Sequence, residues 1–356
     1  MLSFQNFDER GMKGNNLSVL LLVTGIMVML AVNLFIGSVN IPAGEVCDIL
    51  IGKEDVKSSW RFIVMESRLP QAITAILCGA ALSLSGLLLQ TVFRNPLADP
   101  SVFGISSGAG LGVAVVTLLF GGSIVTSSFS LSGFMAVSLA AFLGAALVTF
   151  IILFVSSKVR NSILLVIIGI MIGYIASSAI TMLNFFATEE GVKSYVVWGM
   201  GNFSSVSSGY MPIFSIIIIL SVISSALLIK PLNVFMLGDE YAENLGINTM
   251  RLRNVVLLIT GVLVAVSTAF CGPIAFIGLS VPHISRILMR TDDYRRILPA
   301  TVLTGSLMAL VCNFVCNLPG NRGVIPLNAI TPLMGAPVVI YVITRRNKLN
   351  LNQNIY

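Results

Sequence analysis

Arg94-Asn95-Pro96-Leu97-Ala98-Asp99-Pro100 separates two long apolar runs, and Gly104, Ser106, Ser107, Gly108 and Gly110 open the second. Before the break, Ala72 to Thr91 contains no charged residue. As a helix it is long enough to cross a hydrocarbon core of roughly 30 Å. Pro96 and Pro100 end that helix, and the small residues beyond let the next one pack closely on its neighbours. The stretch reads as a tight connection between two membrane helices.

The rest of the chain agrees. Of its 356 residues 56% are hydrophobic and only 10% charged, where a soluble domain carries about 25% charge. From Ser101 to Ser157 there is no Asp, Glu, Lys, Arg or His. That run is too long for one span, and the small, polar stretch from Gly121 to Gly133 divides it. Ten spans are expected, near 17–37, 70–92, 101–120, 133–156, 162–186, 210–229, 254–271, 276–289, 297–317 and 328–344. Such runs cannot expose unpaired backbone to lipid and lack the alternation of barrel strands, which leaves helices. The expected class is an all-α, polytopic integral membrane protein with one transmembrane domain (17–345) between a segment 1–16 and a tail 346–356.

Ten spans place Arg10, Lys13, Arg94, Lys158, Arg160, Lys230, Arg251, Arg253, Arg286, Arg290, Arg295, Arg296, Arg345, Arg346 and Lys348 on one side of the membrane. Lys53, Lys57, Arg61, Arg68, Lys193 and Arg322 fall on the other, a division of 15 to 6 that accounts for all 21 basic residues. Basic residues favour the cytoplasm, so both termini are expected there. The basic balance therefore reflects topology and calls for no nucleic acid. The first apolar run is long and has no small-residue cleavage site, so it reads as a helix that stays rather than a secretory signal. Residues 38–68, with Val46, Ile49, Leu50 and Ile51, are expected to include a helix on the outer surface.

Cys47, Cys78, Cys271, Cys312 and Cys316 form no CxxC pair, and His283 is the only histidine. No metal site is expected; Cys312 and Cys316 read as small packing residues. No ionisable residue falls securely inside a span, which disfavours a proton-coupled carrier and leaves a membrane-embedded enzyme without a catalytic pair. Gly52-Lys53-Glu54 is no phosphate loop, so ATP-driven transport would need a separate ATPase. After the sixth span, Lys230-Pro231 leads to Leu237-Gly238-Asp239-Glu240-Tyr241-Ala242-Glu243-Asn244-Leu245-Gly246. This loop (about 231–253) reads as two short helices parted at Gly246, with Asp239 and Glu240 near an N-terminus that favours negative charge.

Residues from Arg68-Leu69-Pro70 to Gly112 resemble the FecCD family, the permease subunits of ATP-binding-cassette importers for iron-siderophores, haem and vitamin B12. Three later blocks extend the resemblance over residues 65–345: Val197-Trp198-Gly199-Met200-Gly201, Gly272 to Arg286, and Ile325-Pro326-Leu327-Asn328 to Pro337. The resemblance implies a fold like that of the vitamin B12 importer permease. It implies a homodimer with the pore at its interface, two cytoplasmic ATPase subunits that bind ATP and Mg, and an outer substrate-binding protein. This chain would carry no catalytic residue and no cofactor, and would sit in the cytoplasmic (inner) membrane of a bacterium. Its cargo would be an iron chelate moved by alternating access, with vitamin B12 or haem as the alternative.

Residue by residue, the resemblance makes Asp239, Glu240, Ala242 and Gly246 the ATPase-coupling set. It makes Asn95, Pro96, Asp99, Pro100, Gly278, Pro282, His283 and Arg286 structural motif residues. Asn161 and Ser162 fall where the family has its cytoplasmic gate. Ser83, Ser85, Gly86, Gln90, Ser106 and Ser107 are candidates for the pore or the dimer interface. Arg68 is expected to dock the binding protein; Gln71 and Asn317 stand where relatives have further outer arginines, and Arg322 is the expected substitute.

Overall fold

The computed structural model describes residues 2–53, 55–121, 123–126, 129–159, 161–319 and 323–353. Helix α1 (Leu2–Phe35) is followed by α2 (Ala43–Ile51), and α3 (Ser58–Phe62) runs through a π-helical turn, Ile63–Arg68, into α4 (Leu69–Val92). Beyond the Arg94–Pro100 connection lie a 3-10 turn (Pro100–Phe103), α5 (Ile105–Ala114) with a π turn Val115–Leu119, and a hairpin of β1 (Ser123–Thr126) and β2 (Phe129–Ser132). The hairpin pairs Ser123 with Ser132 and Thr126 with Phe129. Then come α6 (Phe134–Ser156), α7 (Ser162–Phe186), α8 (Glu189–Gly199), α9 (Met211–Ala226), α10 (Ile229–Phe235) and α11 (Asp239–Asn244). The last four are α12 (Thr249–Cys271), α13 (Ile277–Met289), α14 (Tyr294–Asn317) and α15 (Leu327–Gln353).

Every apolar segment expected to span is helical, but their lengths divide them. Among the described residues six helices are long and apolar enough to cross a membrane alone: 16–35, 58–92, 134–156, 162–186, 249–271 and 294–317. A seventh candidate is the α9–α10 pair, bent by 53°. Residues 105–119, 277–289 and 327–342 form shorter apolar helices. The count of ten therefore rests on one bent and three short helices that length alone does not carry.

Helix α4 is the axis of the bundle. It is apolar nearly all round, which suits a helix enclosed by others, and α9, α12, α13 and α14 enclose it. Nineteen of its residues are buried, from Pro70 and Ala72 to Val92, and its small side chains allow close approach: a Cβ on Gly79 would lie 2.3 Å from the carbonyl oxygen of Gly305 in α14. Helix α7, by contrast, leaves Ile163, Tyr174, Ile175, Met182 and Phe185 exposed. The expected helix in 38–68 is present as α2, whose Val46 and Ile49 pack with Ile41 and Val64 in a cluster separate from the main core.

Candidate functional site

Motifs distant in sequence meet at the end of the bundle that carries Arg94–Pro100 and the loop before α12. His283 Nε2 donates to the carbonyl oxygen of Pro96 over 2.9 Å. Asn95 Oδ1 accepts from the Leu97 N–H at 2.9 Å and shapes the turn. Asp99 heads the 3-10 turn, accepting from the Ser101 N–H at 3.1 Å. Burial pushes the Asp99 carboxyl above its ordinary range, and the Ser101 hydroxyl and N–H hold it back. Gly278 packs so closely there that a Cβ would sit 2.8 Å from Asp99 Oδ1 and 3.2 Å from Pro100 Cδ. Gln90 completes the junction: its amide donates to Leu279 O at 3.1 Å and accepts from Arg286 Nη1 at 2.9 Å. Arg286 Nε lies 3.3 Å from Asp292 Oδ1, and Pro282 is buried inside α13. The first and third motifs are thus two sides of one buried joint.

The loop before α12 differs in detail from its sequence reading. The two short helices are α10 and α11, parted at Gly238, while Gly246 (φ 83°) separates α11 from α12. The reason is local: Gly238, at φ 130°, supplies a conformation that side-chain-bearing residues rarely adopt, and Asn248 caps α12 by accepting from the Arg251 N–H at 2.8 Å. Ala242 is fully buried, whereas Leu237, Tyr241 and Leu245 are exposed beside Glu240 and Glu243. That is an apolar, acidic knob on a short helix.

Two ties fix the knob to the bundle. Arg94 Nη2 lies 2.8 Å from Asp239 Oδ1 and 3.2 Å from Phe235 O, with its guanidinium 5.1 Å from the centre of the Phe235 ring. With side chains 47% and 57% exposed, this pair orients more than it stabilises, contributing about 0–1 kcal/mol. On the other side Asn233 Nδ2 donates to Asp293 Oδ1 at 2.7 Å, and Asn233 Oδ1 accepts from the Tyr294 N–H at 2.8 Å. A cleft of 540 Å³ lies between the knob and the start of α7, lined by Asp239, Glu243, Gly246, Arg253 and Ser162. Ser162 therefore lines the same space as Asp239 and Gly246, two of the four residues expected to couple to an ATPase. Asn161 caps α7, accepting from the Ile163 N–H at 2.9 Å.

Ser83, Ser85, Gly86 and Gln90 lie in the interior of a single chain. Ser83 Oγ donates to the carbonyls of Ala80 and Thr301, both at 3.1 Å, and Ser85 Oγ to Ala81 O at 2.7 Å. Groups enclosed within one subunit cannot line a pore between two. Sequence alone could not tell this, because α4 is apolar on every side. Ser106 and Ser107 are half-buried on α5.

At the opposite end Arg68 is 6% exposed. Its guanidinium donates to Leu34 O at 2.8 Å, Phe35 O at 3.1 Å and Val39 O. It is a buried strut holding the end of α1, and it offers no free charge to an outer partner. Arg322 lies outside the described residues. Gln71 and Asn317 meet through one residue: Gln71 Nε2 donates to Asn313 Oδ1 and Asn317 Nδ2 to Asn313 O, both at 2.9 Å, while Asn313 Nδ2 donates to Asn33 Oδ1 at 2.8 Å. A chain of neutral amides links α1, α4 and α14 there.

Sequence reasoning missed two residues that the structure makes central. Asn328 donates to Gly199 O at 2.9 Å and Pro273 O at 2.6 Å and accepts from the Ala275 N–H at 3.3 Å. It knots three of the motif blocks together; the polar residue inside an apolar motif was the available signal. Arg253, one turn into α12, donates to Ser156 Oγ at 3.0 Å, Ser156 O at 2.7 Å and Val159 O at 2.6 Å. It looked like one more loop cation. Among the described residues no three His, Cys, Asp or Glu side chains gather as a metal site.

Residues 24–345 match the FecCD transport family. The vitamin B12 import system permease BtuC of Klebsiella pneumoniae is 34% identical over 330 residues, 92% of each chain. BtuC of Photorhabdus laumondii is 33% identical, covering 80% of this chain and 82% of its own. An inward-facing structure assigned to the metal-chelate type of ABC transporter superposes with a TM-score of 0.77 at 27% identity, over 91% of this chain and 98% of that one. The matched range, residues 24–345, includes the buried joint, the knob and the amide chain. The chain belongs to the FecCD transport family, as a multi-pass permease of an ABC importer in a bacterial inner membrane.

Proposed function

We propose that two copies of this chain form the pore, that the knob formed by α11 seats in a partner ATPase, and that a separate outer protein delivers the cargo. The observation that carries this reading is the knob itself. Exposed Leu237, Tyr241 and Leu245 ringed by carboxylates fit the core-and-rim make-up of a docking surface. Its ties to Arg94 and Asp293 give a docked partner a grip on both the buried joint and α14. ATP and Mg belong to that partner, and both termini lie on its side, the cytoplasm. Movement of the knob toward the 540 Å³ cleft beside Ser162 would change the opening between the α7 helices of the two copies. Ser106 and Ser107 remain candidates for that interface.

The cargo is a bulky metal chelate. Iron-siderophore is the first expectation from sequence; cobalamin is favoured by the BtuC relatives at 34% identity. Both suit a wall with few fixed charges, where the outer protein does the selecting. Co-purification from detergent tests the assembly: the parent should bring down an ATPase and form a dimer. A monomer that retains no ATPase would overturn it.

A further inference from the structure

Tyr294 is the bulkiest fully buried side chain among the described residues, yet only its backbone N–H takes part in the ties that hold the knob. It is the first residue of α14. At one end its N–H donates to Asn233 Oδ1 of α10 over 2.8 Å. Asn233 Nδ2 also donates to Oδ1 of Asp293, the residue that caps α14, at 2.7 Å. At the other end the Tyr294 hydroxyl meets Thr91 Oγ1 in the last turn of α4 and donates to Leu87 O at 3.4 Å. One residue thus bridges the helix that leads to the knob and the axis of the bundle.

From α4 the contacts run on to α7. Phe93 directly follows α4 and packs against Phe103 of the 3-10 turn, ring centres 4.5 Å apart, with both side chains buried. Gly169 of α7 lies so close to that turn that a Cβ there would stand 2.8 Å from Phe103 Cα and 3.1 Å from Val102 O. The facing atoms are backbone, and a close-packed interior passes displacement on instead of absorbing it. The other tie from the knob, Arg94 to Asp239, is half-exposed. Such a pair is screened by water and holds its partners weakly.

Given that the knob seats in an ATPase, the reading on which this rests, we infer that Tyr294 is the positioning residue that carries knob movement into the membrane. Asn233 moves with α10 and draws on the cap and first residue of α14 together. The Tyr294 hydroxyl passes that movement to Thr91, and the Phe93–Phe103 contact passes it from the end of α4 to α7. The Arg94–Asp239 pair orients the knob without transmitting. A demonstrated coupling, beyond a run of contacts, is what establishes such a route.

The test reads α7 while the knob is driven by nucleotide. The permease with its co-purified ATPase is placed in nanodiscs, spin-labelled through Ile163→Cys in a Cys47→Ser background. Ile163 is exposed at the start of α7, and the remaining four cysteines are buried and take no label. The label-to-label distance across the dimer is measured by electron double resonance without nucleotide and with Mg-ATP and vanadate, which should shift it in the parent. Tyr294→Phe keeps the ring and loses the hydroxyl. It should still hydrolyse ATP, while the ratio of shifted to unshifted dimers falls about fivefold, the equilibrium change one net hydrogen bond supplies. Thr91→Val removes the same contact from the other side and should match it, and the double variant should be no worse than either single. Arg94→Gln should stay within about twofold of the parent. If Tyr294 only supports the fold, Tyr294→Phe lowers the melting temperature and leaves the nucleotide-driven ratio unchanged. That result overturns the proposal, as do additive losses in the double variant or a larger loss from Arg94→Gln. A parent whose distance ignores nucleotide overturns the docking reading itself, and the role of Tyr294 with it.

Discussion

Gly86→Ala is the sharpest single perturbation of the buried joint. A Cβ at position 86 would stand 1.8 Å from the carbonyl oxygen of Gly278 and 2.8 Å from its Cα. Carbon and oxygen need roughly 3.2 Å, so α4 and α13 must part by about 1.4 Å. No flexible side chain can give way, because the obstacle is backbone. That separation stretches both Gln90 bonds, 3.1 Å to Leu279 O and 2.9 Å to Arg286. Overpacking costs about 1–3 kcal/mol and each lost bond about 1 kcal/mol, so the variant should be less stable by about 3–5 kcal/mol. The assay is thermal unfolding of the purified protein in detergent. Gly44→Ala is the control, since a Cβ there meets nothing within 4 Å. Gly44→Ala should melt with the parent and Gly86→Ala well below it. If Gly86→Ala melts normally and loses only transport, residue 86 faces the pore and the reasoning fails.

Three further outcomes are expected. Gly246→Pro cannot adopt φ 83°, since proline is fixed near −65°, and Ala242→Arg forces a cation into a fully buried site; both should abolish ATPase association while the parent's fold persists by circular dichroism, and normal association would remove the knob as the docking element. In a Cys47→Ser background, Asp55→Cys and Glu190→Cys should react with an impermeant thiol reagent on intact cells, Tyr241→Cys and Asp292→Cys only after permeabilisation; outside labelling at 241 would invert the topology. The Arg295 N–H and Asn233 hold the Asp293 carboxyl below the ordinary range, helped by Arg295 and Arg296. Its contribution is present above the unfolded pKa and lost as pH falls through the lowered folded one, so Asp293→Asn should reduce the melting temperature at neutral pH and converge with the parent in acid; a constant gap at all pH values would assign the loss to packing.

How much could be read beforehand depended on range. Apolar length and the uncharged run 101–157 gave the helices and their order, because crossing a membrane is a local requirement. The motif at 94–100 and the block at 272–286 were visible as strings, but their meeting at His283, Pro96, Asp99 and Gly278 is a tertiary fact no spacing encodes. Pore candidates on α4 misled for the same reason: serines and glycines look alike whether they face water or a neighbouring backbone. Arg68 looked like an outer docking charge and is a buried strut. The polar residues that organise the opposite end, Asn33, Gln71, Asn313 and Asn328, carry no periodic signal, since each serves a contact more than thirty residues away.

The central claim is that this chain is a conduit whose direction is set by ATP hydrolysed elsewhere. Transport across the membrane of proteoliposomes holding the permease and its ATPase, with ATP sealed inside or supplied outside, tests it most directly. Oriented with the ATPase face outward and the binding protein enclosed, the vesicles should export a cobalamin or iron-siderophore load only when external Mg-ATP is present, and Ala242→Arg should stop export. Export driven by a proton gradient without ATP, or unaffected by Ala242→Arg, would contradict the account.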